Sequence, residues 1–410
     1  MKTQPTILVS AYAVHPTKGS EDGMGWNFVL QIAKRFPVIC VTRKNNKPAI
    51  DKYISSVNDS RFNRITFLYF DLPYFLRFWK KKNRGALIYY WMWQFALPRF
   101  IKQQNIKFDV VHNLNFHNDW TPSYLWKLNK PFVWGPIGHH PEIPHQYRKP
   151  HGSKFVLKNK LTWWVKNVMW KWSGALHRTI EKADFIYAMN SSVGENIKLT
   201  TKKHFVRPSV ASQDHGYYQQ AKSGGFRIIS AGRLVPLKGF DLGIRSFARF
   251  LDLIPPNERK LCSLTIVGSG QEITHLKEDI QRLDIASHVT LIPWLERDEL
   301  LKIMKEASMF LFPSHEGAGM VVAEALSFAL PVVCLDNCGP GELIDRECGF
   351  AIPKQSYDST VEQLANATYT LFSNHTLYHS MRHAARKRFT ELFDWDRRGE
   401  WLEEVYLSVV

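Results

Sequence analysis

No apolar run in this sequence reaches the 18 or so residues that a membrane-spanning helix needs. The nearest, "ALIYYWMWQFALP", is short and flanked by Lys and Arg. Cysteine is scarce: five in 410 residues, an odd number. That excludes a disulfide-stapled scaffold and suits a reducing compartment. Cys334, Cys338 and Cys348 have no His at zinc-like spacing and read as structural thiols. There is no short-period repeat and no long low-complexity tail, so solenoids are excluded. A signal peptide is disfavoured as well. "ILVSAYAV" is apolar and Ala11-Tyr12-Ala13 resembles a cleavage site, but its positive start is a single Lys2. It runs straight into a glycine-bearing turn and reads as a first strand.

Acidic residues are scarce in one half only. Residues 1–210 hold 33 Lys and Arg against 11 Asp and Glu, a net of +22, whereas residues 211–410 net −5. Trp divides 11 to 3 in the same sense. Two halves with different surfaces imply different partners.

What is present is alternation. "TILVSAYAV", "FPVICVTR", "ITFLYF", "FDVVHNL", "PFVWGPI" and "ADFIYAMN" read as strands of the first half. "RIISAGRL", "SLTIVGSG", "VTLIPWL", "MFLFPSH" and "LPVVCLD" read as strands of the second. Near-continuous apolar strands separated by helical stretches predict parallel sheets covered on both faces. The fold class is α/β, with two doubly wound, Rossmann-like domains. The first is expected over 1–207 and the second over 208–393, joined through the polar "VRPSVASQDHGYYQQAKSGG". A final helix is expected over about 394–410.

Ligands of such sheets bind at the carboxyl ends of the strands. After "IISAGRL" come Arg233 and Lys238, a guanidinium fork and a point charge suited to a diphosphate. After "LTIV" comes Gly268-Ser269-Gly270, which admits a ligand close to the backbone. After "MFLFP" comes "SHEGAGMVVAEALSFA", where Gly317, Ala318 and Gly319 precede a helix opening at Met320 and Val321. A helix N-terminus there forms an anion site without any side chain. Glu316 and Glu324 flank it. Carboxylates accept hydrogen bonds from sugar hydroxyls, so the pair fits the two ends of a nucleotide diphosphate sugar.

"GRLVPLKG", "VGSG", "PSHEGAGMVVAEALSFALPVV" and "GPGELI" resemble the signature of family 4 retaining glycosyltransferases, which have the GT-B fold. The resemblance implies that Arg233 and Lys238 bind the donor diphosphate, that Glu316 contacts the transferred sugar and that Glu324 contacts the ribose. It implies that the backbone from Gly317 to Val321 cradles phosphate and sugar, and that the glycine-rich turn at Gly19 faces the diphosphate. It further implies metal-independent transfer with retention, no cofactor, and a final helix that returns to the first domain. The donor is expected to be a UDP-, GDP- or ADP-sugar, and the acceptor a sugar, a lipid-linked sugar or a polysaccharide. The family has an active-site histidine near "NFHNDW", which points to His117, with His112 in reserve. "VWGPIGHHPEIP" is expected to line the acceptor side.

Asp394-Trp395-Asp396 spells the metal–diphosphate motif of the other large glycosyltransferase fold. Here it opens the last helix, where Asp serves as a cap. Rival readings are an epimerase or phosphorylase of similar architecture, or a basic nucleic-acid binder. No nucleic-acid motif is present, and a pure binder has no use for a diphosphate constellation. In "KNKLTWWVKNVMWKWSGALHR" helical spacing predicts a core face of Trp164, Val165, Val168, Met169, Trp172 and Leu176. Trp163 and Trp170 then fall on the polar face with Lys160, Lys166 and Asn167, as on an interfacial helix. An anionic membrane surface is therefore an expected partner, with a cytoplasmic protein held peripherally at the inner face of the plasma membrane.

Overall fold

The computed structural model describes residues 4–80, 85–114, 118–216 and 225–410. The chain divides into two compact units. The first comprises residues 1–139, 161–209 and 395–410, the second 140–160 and 210–394.

In the first unit, seven strands form one parallel sheet. They are β1 (Ile7–Ser10), β2 (Val38–Thr42), β3 (Ile65–Tyr69), β4 (Val110–Asn113), β5 (Phe132–Ile137), β6 (Phe185–Ala188) and β7 (Lys203–Val206), in the order β3-β2-β1-β4-β5-β6-β7. Ile7 stands in register with Val38 on one side and Val110 on the other. β1, β2, β4, β5 and β6 are buried throughout, which is why they read as unbroken apolar runs. β7, "KHFV", was not expected. It is an edge strand, mostly exposed, so it carries no apolar run to betray it.

The C-terminal helix Trp395–Val409 belongs to this unit. Trp395 meets Phe28 edge-on at 5.4 Å, and Arg35 Nε donates to Glu403 at 2.9 Å. Asp396 is ion-paired with Lys34, so half of the Asp394-Trp395-Asp396 motif anchors this helix.

The helix Gly152–Trp172 corrects the predicted faces. Lys166 is buried, with its ammonium 4.4 Å from the Trp163 ring centroid. Trp163 and Trp170 pack on each other and on His139. Of the stripe expected in the core, Trp164, Val168 and Trp172 face solvent, Val165 and Met169 are half-buried, and Leu176, on the next helix Gly174–Lys182, is buried as expected. Lysine misled the assignment because its long stem lies on aromatic rings while its charge is held by them.

In the second unit, β8 (Phe226–Ala231), β9 (Cys262–Val267), β10 (Val289–Ile292), β11 (Met309–Phe312), β12 (Val332–Leu335) and β13 (Gly349–Ile352) form a parallel sheet. Their order is β10-β9-β8-β11-β12-β13. β13 was not expected; it is the edge strand of this sheet and only four residues long.

Residues 140–160 also fall in this unit, which corrects their expected place in a domain over 1–207. They dock by side-chain bonds: Tyr147 Oη to the Gln355 carbonyl (2.9 Å) and to Thr360 Oγ1 (2.7 Å), and His151 Nδ1 to Glu272 Oε2 (2.6 Å). None of the five cysteines forms a disulfide, and all are buried.

Candidate active site

The strand order of the second unit reverses between β8 and β11. That switch point opens a crevice at the carboxyl ends of the strands. The loops that follow β8, β9, β11 and β12 meet there, and their meeting is set largely by backbone.

Gly239 closes the turn Pro236–Lys238 with φ 63°, and a Cβ on it would lie 2.0 Å from the Pro313 carbonyl oxygen. A Cβ on Gly268 would lie 1.8 Å from the Gly232 oxygen. No side chain fits at either place. The β8 loop is thus pressed against both the β9 loop and the β11 loop. His315 N–H donates to Leu237 O at 2.8 Å, which completes the seam. The buried Asn337 after β12 ties in the fourth loop. Its Nδ2 donates to Ser314 O at 2.6 Å, and its Oδ1 accepts from Gly339 N–H at 3.0 Å.

This framework places Lys238 Nζ 2.5 Å from Glu316 Oε2, with both side chains mostly buried. The ammonium also lies 4.9 Å from the Phe312 ring centroid. Arg233, five residues earlier on the same loop, is exposed and makes no ion pair among the described residues. The helix Met320–Ser327 begins after Gly319 with no side-chain cap, so its first N–H groups are open to a ligand. The structure therefore brings together Arg233, Lys238, Glu316, Gly268 and the run Gly317, Ala318, Gly319, Met320 and Val321, at one end of one sheet.

Glu324 lies on that helix, and its carboxylate pairs with Arg297 at 2.7 Å. Burial pushes the Glu324 carboxyl above its usual range, and Arg297 opposes the shift. Arg297 was missed by sequence reasoning. The signal was available: it follows β10 by five residues, at the same end of the sheet.

Two histidines were also missed. His140 Nδ1 accepts from Gly317 N–H at 3.0 Å, on the loop assigned to phosphate. His315 is buried 5.0 Å from the Tyr147 ring. Burial, with help from Lys354 and His151, holds its imidazole down at about 3, so it is neutral at physiological pH.

The remaining expected residues lie on the first unit. Gly19 precedes the helix Ser20–Ala33, after the loop that leaves β1. His117 lies outside the described residues. His112, the reserve, is corrected to a structural residue. Its Nδ1 and Nε2 are each 2.6 Å from a partner, the Tyr406 hydroxyl and the Gly135 carbonyl. A carbonyl only accepts, so Nε2 carries the proton and Nδ1 accepts from Tyr406. Burial lowers this imidazole to about 4, and neither nitrogen is left for a substrate. The same unit holds a buried Asp119–His139 pair at 3.0 Å, after β4 and β5. Among the described residues no cluster of three His, Cys, Asp or Glu has metal-binding geometry.

Comparison with known proteins agrees with this geometry. Residues 218–388 match the family model of glycosyl transferases group 1. An uncharacterized glycosyltransferase of Haemophilus influenzae is 32% identical over 170 residues, 40% of this chain and 45% of that protein. The D-inositol 3-phosphate glycosyltransferase of Jonesia denitrificans is 28% identical over 185 residues, 44% of this chain and 42% of its own. The chain thus spans less than half the length of these curated relatives. Among solved structures, Anabaena HepE in complex with UDP superposes with a TM-score of 0.63 at 15% identity, covering 98% of this chain and 100% of that one. Over residues 218–388, the stretch that builds the crevice, the chain is similar to group 1 glycosyl transferases, and its two parallel sheets have the GT-B fold.

Proposed function

We propose that the chain is a retaining glycosyltransferase that moves a hexose-type sugar from a nucleotide diphosphate sugar to a hydroxyl acceptor, without a metal. The observation that carries the reading is the crevice of the second unit. An exposed Arg233 with no ion pair among the described residues, a Lys238 paired with Glu316 and a helix N-terminus without a side-chain cap converge where a diphosphate would sit.

Catalysis requires stabilising the diphosphate as negative charge develops on the leaving oxygen. Preorganised cations and N–H groups do this with little reorganisation. The Lys238–Glu316 pair is poised for exchange. An arriving diphosphate attracts Lys238 and frees the Glu316 carboxylate to accept hydrogen bonds from the sugar hydroxyls. The Gly317 N–H, now given to His140, is a further donor for the same ligand. Glu324, ion-paired with Arg297, is assigned the ribose hydroxyls. Attack by the acceptor from the side the diphosphate leaves gives retention. The acceptor is a sugar, a lipid-linked sugar or a polysaccharide, and residues of the first unit are assigned to it.

The test is a panel of UDP-, GDP- and ADP-sugars read by thermal shift, followed by nucleoside diphosphate release with candidate acceptors. One nucleotide sugar should raise the melting temperature, and release should need acceptor. Release without acceptor, or sugar isomerisation without release, would assign the site to another reaction.

A further inference from the structure

We propose that the solvent face of the helix Gly152–Trp172, over residues 161–172, docks on an anionic lipid bilayer. At about 100° per residue, Leu161, Trp164, Val168 and Trp172 fall within an arc of about 80°. They are 60%, 64%, 37% and 80% exposed, respectively. The opposite arc holds Trp163, Lys166 and Trp170, which pack against His139 and the core of the first unit. The apolar stripe is therefore not the helix's packing face. It is a second apolar face, and among the described residues nothing in its own unit covers it.

The charge of the helix selects the occupant. Residues 161–172, the part of the helix in the first unit, contain Lys166 and Lys171 and no acidic residue. Lys171 flanks the stripe. A second copy of the chain would bring like charge against like charge. A nucleic acid would match the lysines but offers no apolar layer for Leu161 and Val168. An anionic bilayer matches both, with headgroups for the lysines and acyl chains just beneath for the apolar stripe. Tryptophan is the side chain most at home at that boundary. The same unit exposes a second basic-aromatic turn, in which Tyr74, Phe75 and Phe78 are 74%, 69% and 60% exposed around Arg77.

The experiment is sedimentation of the full chain with vesicles, without donor or acceptor, so its outcome is independent of the transferase reading. Vesicles of phosphatidylcholine mixed with phosphatidylglycerol should bind the protein, vesicles of phosphatidylcholine alone should not, and added salt should weaken binding. W164S/W172S should lower partitioning about tenfold or more, because it removes the apolar term and leaves the charges. Trp294→Ser, at a position 72% exposed on the second unit, should bind as the parent does. Circular dichroism confirms that each variant is folded; both change exposed side chains. Three results would overturn the proposal: no binding to either vesicle, equal binding to neutral vesicles, or undiminished binding by W164S/W172S. Self-association that W164S/W172S abolishes, with no vesicle binding, would assign the face to a second copy instead.

Discussion

Replacing Arg297 by Ala removes the partner of a carboxylate that has nowhere to go. The Glu324 side chain is 9% exposed and that of Arg297 is 44% exposed. Breaking a fully buried pair costs about 3–5 kcal/mol, because the remaining charge is stranded. An exposed pair contributes about 0.2–1 kcal/mol. With one partner buried and the other half in water, Arg297→Ala should destabilise the second unit by about 2 kcal/mol at neutral pH. The loss should depend on pH in a defined sense. The folded-state pKa of Glu324 is raised above its ordinary value by burial, and losing Arg297 raises it further. The folded state then holds its proton where the unfolded state has released it. Stability therefore falls as pH rises through that window and recovers as pH falls back toward the ordinary glutamate value. Urea unfolding at about pH 7.5 and about pH 5 should show a larger deficit for Arg297→Ala at the higher pH. Adding Glu324→Gln should restore most of it, since the amide carries no charge. A deficit equal at both pH values, unrelieved by Glu324→Gln, would refute the view that Arg297 acts by compensating a buried carboxylate.

Arg233→Ala and Lys238→Ala should each lower turnover by roughly 10²–10³-fold, the scale for removing one preorganised anion contact. Normal nucleoside diphosphate release in both variants would remove the diphosphate from this crevice. Activity should survive excess EDTA, because two side chains and a helix end already supply positive charge. Loss in EDTA with recovery on adding Mn²⁺ would contradict the proposed mechanism. His112, held at about 4 by burial, must gain a proton to unfold as pH drops below the ordinary histidine value. Its contribution to stability should be lost between about pH 6.5 and pH 4, by about 2–4 kcal/mol in all, and His112→Gln should flatten that slope in a urea titration.

The parts of this protein legible in its sequence are those made by the chain near itself. Central strands buried on both faces carry unbroken apolar runs, so β1, β2, β4, β5, β6 and the strands beneath the crevice could be read directly. β7 could not, because this edge strand, "KHFV", is mostly exposed and carries polar residues, and β13, "GFAI", is an apolar run of only four residues. The crevice residues were legible for a related reason. Arg233, Lys238, Gly268 and Glu316 follow strand ends closely, so a parallel sheet delivers them to one place whatever else it does.

Tertiary structure alone decided the rest. That Lys238 bonds Glu316, that Glu324 is held by Arg297 and that His140 occupies the Gly317 N–H are contacts between residues far apart in the chain, and no local pattern encodes them. Residues 140–160 joined the second unit through Tyr147 and His151, whose partners lie more than 100 residues downstream. The helix Gly152–Trp172 is the clearest case. Its sequence determined a helix with two aromatic faces and five lysines spread along it. Periodicity could not say which face turns inward, because lysine stems pack on aromatic rings as readily as lysine charges face water. Only the His139 ring, waiting in the first unit to receive Trp163 and Trp170, settled it.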